Sequence, residues 1–139
     1  MSKKLNTIAI LIFVYFFFSR CDLLFPPKYE NHKIIGSWFW LETFGGFAPT
    51  RTTPETTGYT IISVFEEDGT YKEYKNNKLY RQATFKISYE NIWGDQKKEE
   101  ILQKGSSIFK QAIYFFGKDT LLLRDTCIDC NDYKYLKIK

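Results

Sequence analysis

Hydrophobic residues occur in two different patterns along this chain. Residues 8–18 form one unbroken apolar run (IAILIFVYFFF), which follows Lys3 and Lys4 and ends at Ser19-Arg20-Cys21. From Ile34 to the end, short runs rich in aromatic and β-branched residues alternate with Gly, Asn, Asp and Ser. Runs of the second kind are typical of β-strands separated by turns. The pattern therefore predicts an N-terminal leader followed by a domain built from strands.

The strand-like runs number about eight. One of them shows the period of two of a half-buried antiparallel strand, because the apolar Ala83, Phe85 and Ile87 alternate with polar residues. Asp68-Gly69 and Asn76-Asn77 are typical of tight hairpin turns, in which the backbone needs positive φ. The predicted strands cover residues 34–44, 58–66, 71–74, 80–89, 100–104, 107–116, 120–126 and 132–138.

Most connections between the predicted strands are short. Short connections favour an up-and-down meander, and closure of such a sheet into a barrel removes its exposed edges. We therefore expect an all-β fold, an antiparallel meander of about eight strands closed into a β-barrel with room for packed side chains or one small ligand. The one long connection, residues 45–58, is rich in Thr. It is expected at the mouth of the barrel, either as a functional loop or as a flexible lid.

The leader has the organisation of a secretory signal peptide. A basic start, an apolar stretch and a small-residue site describe such a signal, and a Cys at the cleavage point is typical of bacterial lipoproteins. The apolar run is shorter than the roughly 20 residues that span a membrane. We expect a signal peptide at 1–20, palmitate or a related lipid on Cys21, a tether at 21–33 and a domain at 34–139. The protein is then expected outside the cytoplasm, anchored to a membrane of the cell envelope by its N-terminal lipid.

Arg20 leaves an alternative open for this leader. Lipoprotein signals usually have a small residue immediately before the Cys, and Arg20 occupies that position here. The alternative is an uncleaved N-terminal anchor, which would keep the domain in the same compartment without a lipid on Cys21.

Removal of the leader changes the charge balance of the protein. The whole chain has 20 Lys and Arg against 16 Asp and Glu, and the leader contains three of the basic residues and no acidic one. The mature chain would therefore be close to neutral. Because nucleic-acid binding needs clustered excess positive charge, no nucleic-acid partner is expected.

Residues suited to catalysis or metal binding are few. The single His, His32, falls in the predicted tether and is expected to be solvated. Cys127 and Cys130 lie in the last predicted hairpin, where a structural disulfide is favoured over a redox-active pair because the βαβ context of thioredoxins is missing. Zinc needs about four ligands, which two thiols do not supply. We expect no enzyme, no metal and no cofactor.

Gly36-Ser37-Trp38 on the first predicted strand resembles the Gly-x-Trp signature of lipocalins. With residues 65–71 (FEEDGTY), 121–125 (LLLRD) and 133–135 (YKY), it makes the domain similar to small lipocalin-like domains of envelope lipoproteins of the Bacteroidetes type. The resemblance implies a barrel whose closed end is plugged by Trp38. It also implies a basic side chain laid across the indole, for which Arg124 is the candidate.

The aromatic residues allow two interpretations of the barrel interior: they line a small apolar pocket, or they fill the barrel completely. The first predicts a non-enzymatic lipoprotein that binds a small hydrophobic ligand. The second predicts a protein-interaction module, such as an inhibitor or an accessory of envelope assembly, with another envelope protein as its partner. The candidate lining residues are Trp40, Phe65, Tyr74, Phe85, Tyr89, Tyr114 and Phe116.

Overall fold

The computed structural model describes residues 29–48, 50–92, 94 and 96–139. The predicted signal peptide, the lipidation candidate Cys21 and the first part of the predicted tether lie outside these residues. Within them the chain forms nine strands and one short helix. A membrane-spanning helix, which must be both long and apolar, does not occur in the described ranges. The elements are β1 (Gly36–Gly45), β2 (Thr50–Thr52), α1 (Pro54–Thr57), β3 (Ile61–Phe65), β4 (Thr70–Lys75), β5 (Lys78–Glu90), β6 (Glu99–Lys104), β7 (Lys110–Phe116), β8 (Thr120–Asp125) and β9 (Asn131–Ile138).

Eight of the strands form a closed antiparallel barrel, which confirms the predicted fold class. From β3 to β9 each strand pairs with the next along the chain, and β1 completes the ring by pairing with both β3 and β9. β2 is an additional short strand paired with the last residues of β1. The domain is therefore all-β, with a barrel of the lipocalin-like class.

The long connection after β1 contains two elements that the sequence did not predict. Thr52 on β2 pairs with Thr43 on β1, and α1 follows directly. Thr53 caps this helix: its Oγ1 accepts a hydrogen bond from the Thr56 backbone N–H (3.4 Å), and Thr56 Oγ1 accepts one from the Thr53 backbone N–H (2.8 Å). Strand pairing and a capping box thus fix a segment whose composition resembles that of an irregular loop.

The direction of the strands sorts the loops into two ends of the barrel. The 66–69 and 117–119 turns share one end with residues 29–35, and side chains close this end. We call the other end the mouth. As expected, the long connection lies at the mouth, which is formed by residues 45–48, 50–60, 76–77, 105–109 and 126–130.

The hydrophobic core fills the half of the barrel next to the closed end. The rings of Phe65 and Phe85 meet edge to face at 5.3 Å, and Tyr71 packs against Phe65 at 5.0 Å. Trp40 and Tyr135 extend the cluster towards the mouth. The buried cluster consists of Ile34, Trp38, Trp40, Phe65, Tyr71, Phe85, Leu102, Ile113, Leu121, Leu123 and Tyr135.

Trp38 is completely buried at the closed end. Its Nε1–H donates to the carbonyl oxygen of Ile34 (2.7 Å), and the Nζ of Lys137 lies 5.0 Å from its ring centroid. The basic cover is therefore Lys137, which lies beside Trp38 because β9 pairs with β1. Arg124, the candidate from the sequence, alternates with inward residues on β8 and points outwards. There it binds Asp132 (2.8 Å) and covers the ring of Tyr114.

Residues 29–33, which the sequence assigns to the tether, pack against the closed end. Tyr29 stacks on Phe85 with ring centroids 4.7 Å apart, and its backbone N–H donates to the carbonyl oxygen of Glu67 (2.8 Å). His32 is not a solvated linker residue, because its Nδ1 accepts a hydrogen bond from the Ile34 N–H (3.1 Å) and its Nε2 lies 3.6 Å from Glu100. These residues therefore belong to the domain.

Two glycines at the mouth allow a matched test of barrel closure. Gly45 has φ of +106°, and a Cβ added there would lie 2.8 Å from the backbone oxygen of Cys130; Gly58 has φ of +72° and open space around it. We expect Gly45→Ala to lower the free energy of unfolding by about 2–4 kcal/mol and Gly58→Ala by about 1 kcal/mol, since only the first adds a backbone clash to the strain of positive φ. Denaturant unfolding followed by tryptophan fluorescence measures both losses. Equal losses would show that the contact with Cys130 does not limit stability.

Candidate functional site

The mouth half of the barrel contains a cavity of about 530 Å³, which we call the cup. Its walls come from all sides of the barrel and from the long connection at the mouth. Aromatic and apolar side chains contribute one part of the lining: Trp40, Tyr59, Ile61, Phe109, Tyr133 and Tyr135. Polar and charged side chains contribute the rest: Thr43, Thr52, Glu73, Arg81, Lys104, Ser107, Gln111 and Asp125.

The alternation of the strands explains why polar side chains reach the interior. On β6, β7 and β8 the inward position in the closed half is apolar and the next inward position towards the mouth is polar. Leu102 is followed in this way by Lys104, Ile113 by Gln111 and Leu123 by Asp125. The floor of the cup lies where the inward-facing side chains of these strands change from apolar to polar.

One wall of the cup is a stacked aromatic pair. The rings of Trp40 and Tyr59 lie 5.9 Å apart at an interplanar angle of 18°, and the Nε1–H of Trp40 donates to Thr43 Oγ1 (2.9 Å). The position of Tyr59 is fixed by its neighbour Thr60, whose backbone N–H donates to Asn76 Oδ1 (2.9 Å). The long connection thus contributes a fixed aromatic surface to the cup.

The two carboxylates of the cup accept hydrogen bonds from neutral donors in the barrel wall. Asp125 accepts from Gln111 Nε2 (2.8 Å) and from the Tyr133 hydroxyl (3.3 Å). Glu73 accepts from the Tyr71 hydroxyl, which lies 3.3 Å from Ser63 Oγ. The carboxylates are therefore held by the wall itself.

Two buried tyrosines at the base of the cup remain protonated donors. Burial raises the pKa of Tyr71 far above its ordinary value, and the carboxylate of Glu73 acts in the same direction. Burial also raises the pKa of Tyr135. Because neither hydroxyl ionises near neutral pH, the base of the cup carries no phenolate charge.

Lys104 is the basic group placed deepest in the cup. Its side chain is partly buried, and its Nζ lies 5.1 Å from the ring centroid of Tyr71. Within the described ranges it forms no ion pair. The pKa of Lys104 is lowered to about 8, chiefly by burial and in part by Arg81, while Glu73 and Asp125 oppose the shift. The ammonium is thus desolvated without a carboxylate bound to it.

Gln111 also has a polar atom in the cup region whose hydrogen bonding is incomplete, its side-chain oxygen Oε1. The residue is 8% exposed, and its Nε2 is fixed by Asp125. Its Oε1 is buried and has no hydrogen-bond partner among the described residues. A buried acceptor that is left unbonded costs about 1–3 kcal/mol.

The residues predicted to line a pocket divide into three groups. Trp40 lines the cup, whereas Phe65 and Phe85 lie in the packed core below it. Tyr74 lies opposite the outward Ile62 on β3, and Tyr114 alternates with inward residues on β7, so both lie on the outer face. Tyr89 and Phe116, near strand ends at the closed side, are 63% and 60% exposed. Of the predicted lining residues, only Trp40 is therefore part of the cup, because aromatic character does not reveal the face of the strand.

Lys104, Gln111, Glu73 and Asp125 were not predicted as site residues. Charged residues near strand ends are usually assigned to the solvated rim of a barrel. Charged residues that point into the barrel are missed when this assignment is made from residue type alone. The available signal was parity, because each of these residues is two positions from an inward apolar or aromatic residue on the same strand. A search for polar residues on the apolar parity of each strand would have found them.

The predicted disulfide is present between Cys127 and Cys130, with Cα atoms 5.6 Å apart. The bond lies in the β8–β9 hairpin at the mouth, outside the lining of the cup. In the part of the chain that the structure describes, no group of three or more His, Cys, Asp or Glu side chains is arranged to hold a metal ion. His32 packs at the closed end, away from the cup.

No protein-family model, curated protein or solved structure matches the chain. The resemblance to lipocalins is therefore supported by the barrel alone, and function is argued from the residues of the cup. Those residues combine an aromatic wall, bonded carboxylates and an unpaired ammonium. This combination suits a molecule that has both an apolar and a polar part.

The unpaired ammonium has a measurable effect on stability. Its folded-state pKa of about 8 is below the ordinary value for lysine, so the charge destabilises the fold below pH 8, and this effect disappears as the pH rises towards about 10.4. We expect Lys104→Met to raise the free energy of unfolding at pH 7 by about 1–3 kcal/mol, with the difference from wild type shrinking between pH 8 and 10.

Denaturant unfolding over this pH range measures the effect, and Lys86→Met is the matched control. Lys86 is exposed on the outward parity of β5, so its replacement should change the free energy of unfolding by less than about 0.5 kcal/mol. A Lys104→Met protein that is less stable than wild type at pH 7 would contradict the interpretation of Lys104 as a desolvated, unpaired charge.

Proposed function

We propose that the protein binds a small, largely hydrophobic molecule in the cup and is not an enzyme. The observation that carries this proposal is the cavity itself, because about 530 Å³ lies within the range of about 300–1,000 Å³ typical of ligand pockets. Its lining includes six aromatic or apolar side chains, which offer contacts to an apolar part of the molecule, besides eight polar or charged ones. An interaction module with a solid core is less well supported, since the cavity interrupts the packing of the barrel interior in the mouth half.

The positions of the reactive residues support binding rather than catalysis. Cys127 and Cys130 are joined to each other, and His32 lies at the end opposite the cup. A nucleophile next to a general base, which covalent catalysis requires, is not seen among the described residues that line the cup.

The leader supports a place in the cell envelope for this binding protein. In the proposed lipoprotein, Cys21 carries the lipid and lies eight residues before Tyr29. A chain of that length reaches at most about 29 Å. Because Tyr29 packs at the closed end, such an anchor would hold the closed end towards the membrane and the mouth away from it. The cup would then receive ligands from the aqueous side.

A neutral fluorescent probe and two adjacent isoleucines test binding in the cup. Ile61 lines the cup, whereas Ile62, the next residue on β3, lies on the outward parity. We expect N-phenyl-1-naphthylamine to bind the wild-type protein with increased fluorescence. Ile61→Trp should weaken binding at least about tenfold because the added ring occupies the cavity, and Ile62→Trp should not. Failure of the probe to bind, or equal weakening by both variants, would overturn the proposal.

The mouth also carries an exposed apolar rim, which supports a second candidate function in protein interaction. Phe47, Ile108 and Ile128 are 95%, 85% and 88% exposed, and Phe109 is 69% exposed. They come from three separate loops of the same end. Clustered exposed apolar side chains often mark interaction sites, so an envelope protein could dock over the mouth.

Site-specific photo-cross-linking in growing cells tests the second candidate. A photoreactive residue at Ile108 should give a discrete adduct with an envelope protein, and the same residue at Lys118, in the turn at the closed end, should not. An Ile128→Ser change in the same protein should reduce the Ile108 adduct, because it removes apolar surface from the rim. Adducts of equal yield at both positions would contradict docking at the mouth.

A further inference from the structure

We propose that the cup binds the carboxylate of a small organic acid on the ammonium of Lys104, with the apolar part of the acid against the Trp40–Tyr59 wall. This inference rests on the proposed function and specifies its ligand class. It follows from a comparison of the charged groups of the cup that have hydrogen-bond partners with those that have none among the described residues.

The negative groups of the cup already have partners. Asp125 accepts two hydrogen bonds from neutral donors, Gln111 and Tyr133, and Glu73 accepts one from Tyr71. Neither carboxylate forms an ion pair with the two basic groups of the cup within the described ranges, although both attract the ammonium of Lys104 at longer range. A cationic ligand would have to compete with this network for the carboxylate oxygens.

The positive groups of the cup, in contrast, have donors to offer. Lys104 and Arg81 line the cavity, and neither forms an ion pair within the described ranges. Lys104 lies on the floor and Arg81 nearer the mouth, opposite Glu73 on the neighbouring strand. Hydrogen bonds between an ammonium and a carboxylate are about twice as strong as those between neutral groups, so an acid gains more here than a neutral molecule.

Gln111 is a second polar residue at the floor of the cup and lines the same cavity as Lys104. Its Nε2 is held by Asp125, and its buried Oε1 has no hydrogen-bond partner among the described residues. Lys104 and Gln111 lie diagonally on β6 and β7, because Leu102 is the residue opposite Gln111. The floor therefore places one cationic donor next to a fixed neutral amide.

The remaining lining limits the charge and shape of the acid. Glu73 and Asp125 also face the cup, so a ligand with one negative charge is favoured over a phosphate with two. Trp40 and Tyr59 contribute apolar ring surface to the lining, and Lys75 Nζ lies 3.8 Å from the ring centroid of Tyr59. An organic acid with an aromatic or branched apolar body fits these constraints.

Two analogues of nearly equal shape test the charge preference. We would measure displacement of N-phenyl-1-naphthylamine by 2-naphthoate and by its neutral counterpart 2-naphthamide. We expect the carboxylate to bind about tenfold or more tightly than the amide to the wild-type protein, as one charge-assisted hydrogen bond implies. The preference should decrease as the pH rises above about 8 and Lys104 loses its proton. Lys104→Met should abolish the preference, and the matched control Lys86→Met should retain it.

The outcomes separate this inference from the proposed function. If both naphthalenes displace the probe equally well, or if Lys104→Met keeps the full preference, the carboxylate site is wrong while ligand binding in the cup stands. If neither naphthalene nor the probe binds, the proposed function itself is wrong. Because N-phenyl-1-naphthylamine is neutral, its unchanged binding to Lys104→Met shows that this variant has kept its fold.

Discussion

The pairing of β1 with β9 is the constraint on which the barrel depends. Their register places Trp38 beside Lys137 at the closed end and Gly45 beside Asn131 at the mouth. The register shifts between Trp40 and Glu42, and a bulge at this point adds one residue to β1. As a result Trp40 and Thr43, which a regular strand would place on opposite faces, both line the cup. The bulge therefore reverses which residues of β1 point inwards, so that this strand contributes side chains to the packed half before the bulge and to the cup on both sides of it.

The side chains of the closed half stabilise the fold, whereas several side chains of the mouth half destabilise it. In the closed half nearly every inward side chain is apolar, and burial stabilises the fold. In the mouth half, desolvation of charged groups opposes folding, and only the carboxylates are compensated by hydrogen bonds. Among the described residues, Lys104 has no ion-pair partner and the Oε1 of Gln111 has no hydrogen-bond partner. Groups that destabilise the isolated protein are expected where a ligand completes the structure, which is why these two carry the functional argument.

Much of the fold could be predicted from the sequence, because strands and hairpins leave local signals. The alternation around Phe85 and the Asp68-Gly69 and Asn76-Asn77 turns gave the strand order directly. Side-chain direction at strand ends was harder, since a bulge or a shift of one residue reverses it. At Tyr89, Phe116 and Lys104 the register is regular, and it was residue type that misled: aromatic character suggested the interior and charge suggested the surface. Contacts that depend on closure, such as Lys137 over Trp38, join distant parts of the chain and had no local signal.

The polar residues of the floor also explain why so small a barrel has a cavity. If the inward positions after Leu102 and Leu123 were apolar, the core could continue to the mouth and fill the barrel, as in the solid interpretation. Lys104 and Asp125 stand there instead, and their desolvation limits how closely the walls can pack over them. The cavity is then maintained by polar groups that need either water or a ligand. The same side chains that reduce the core of the protein thus define the site at which a ligand would bind.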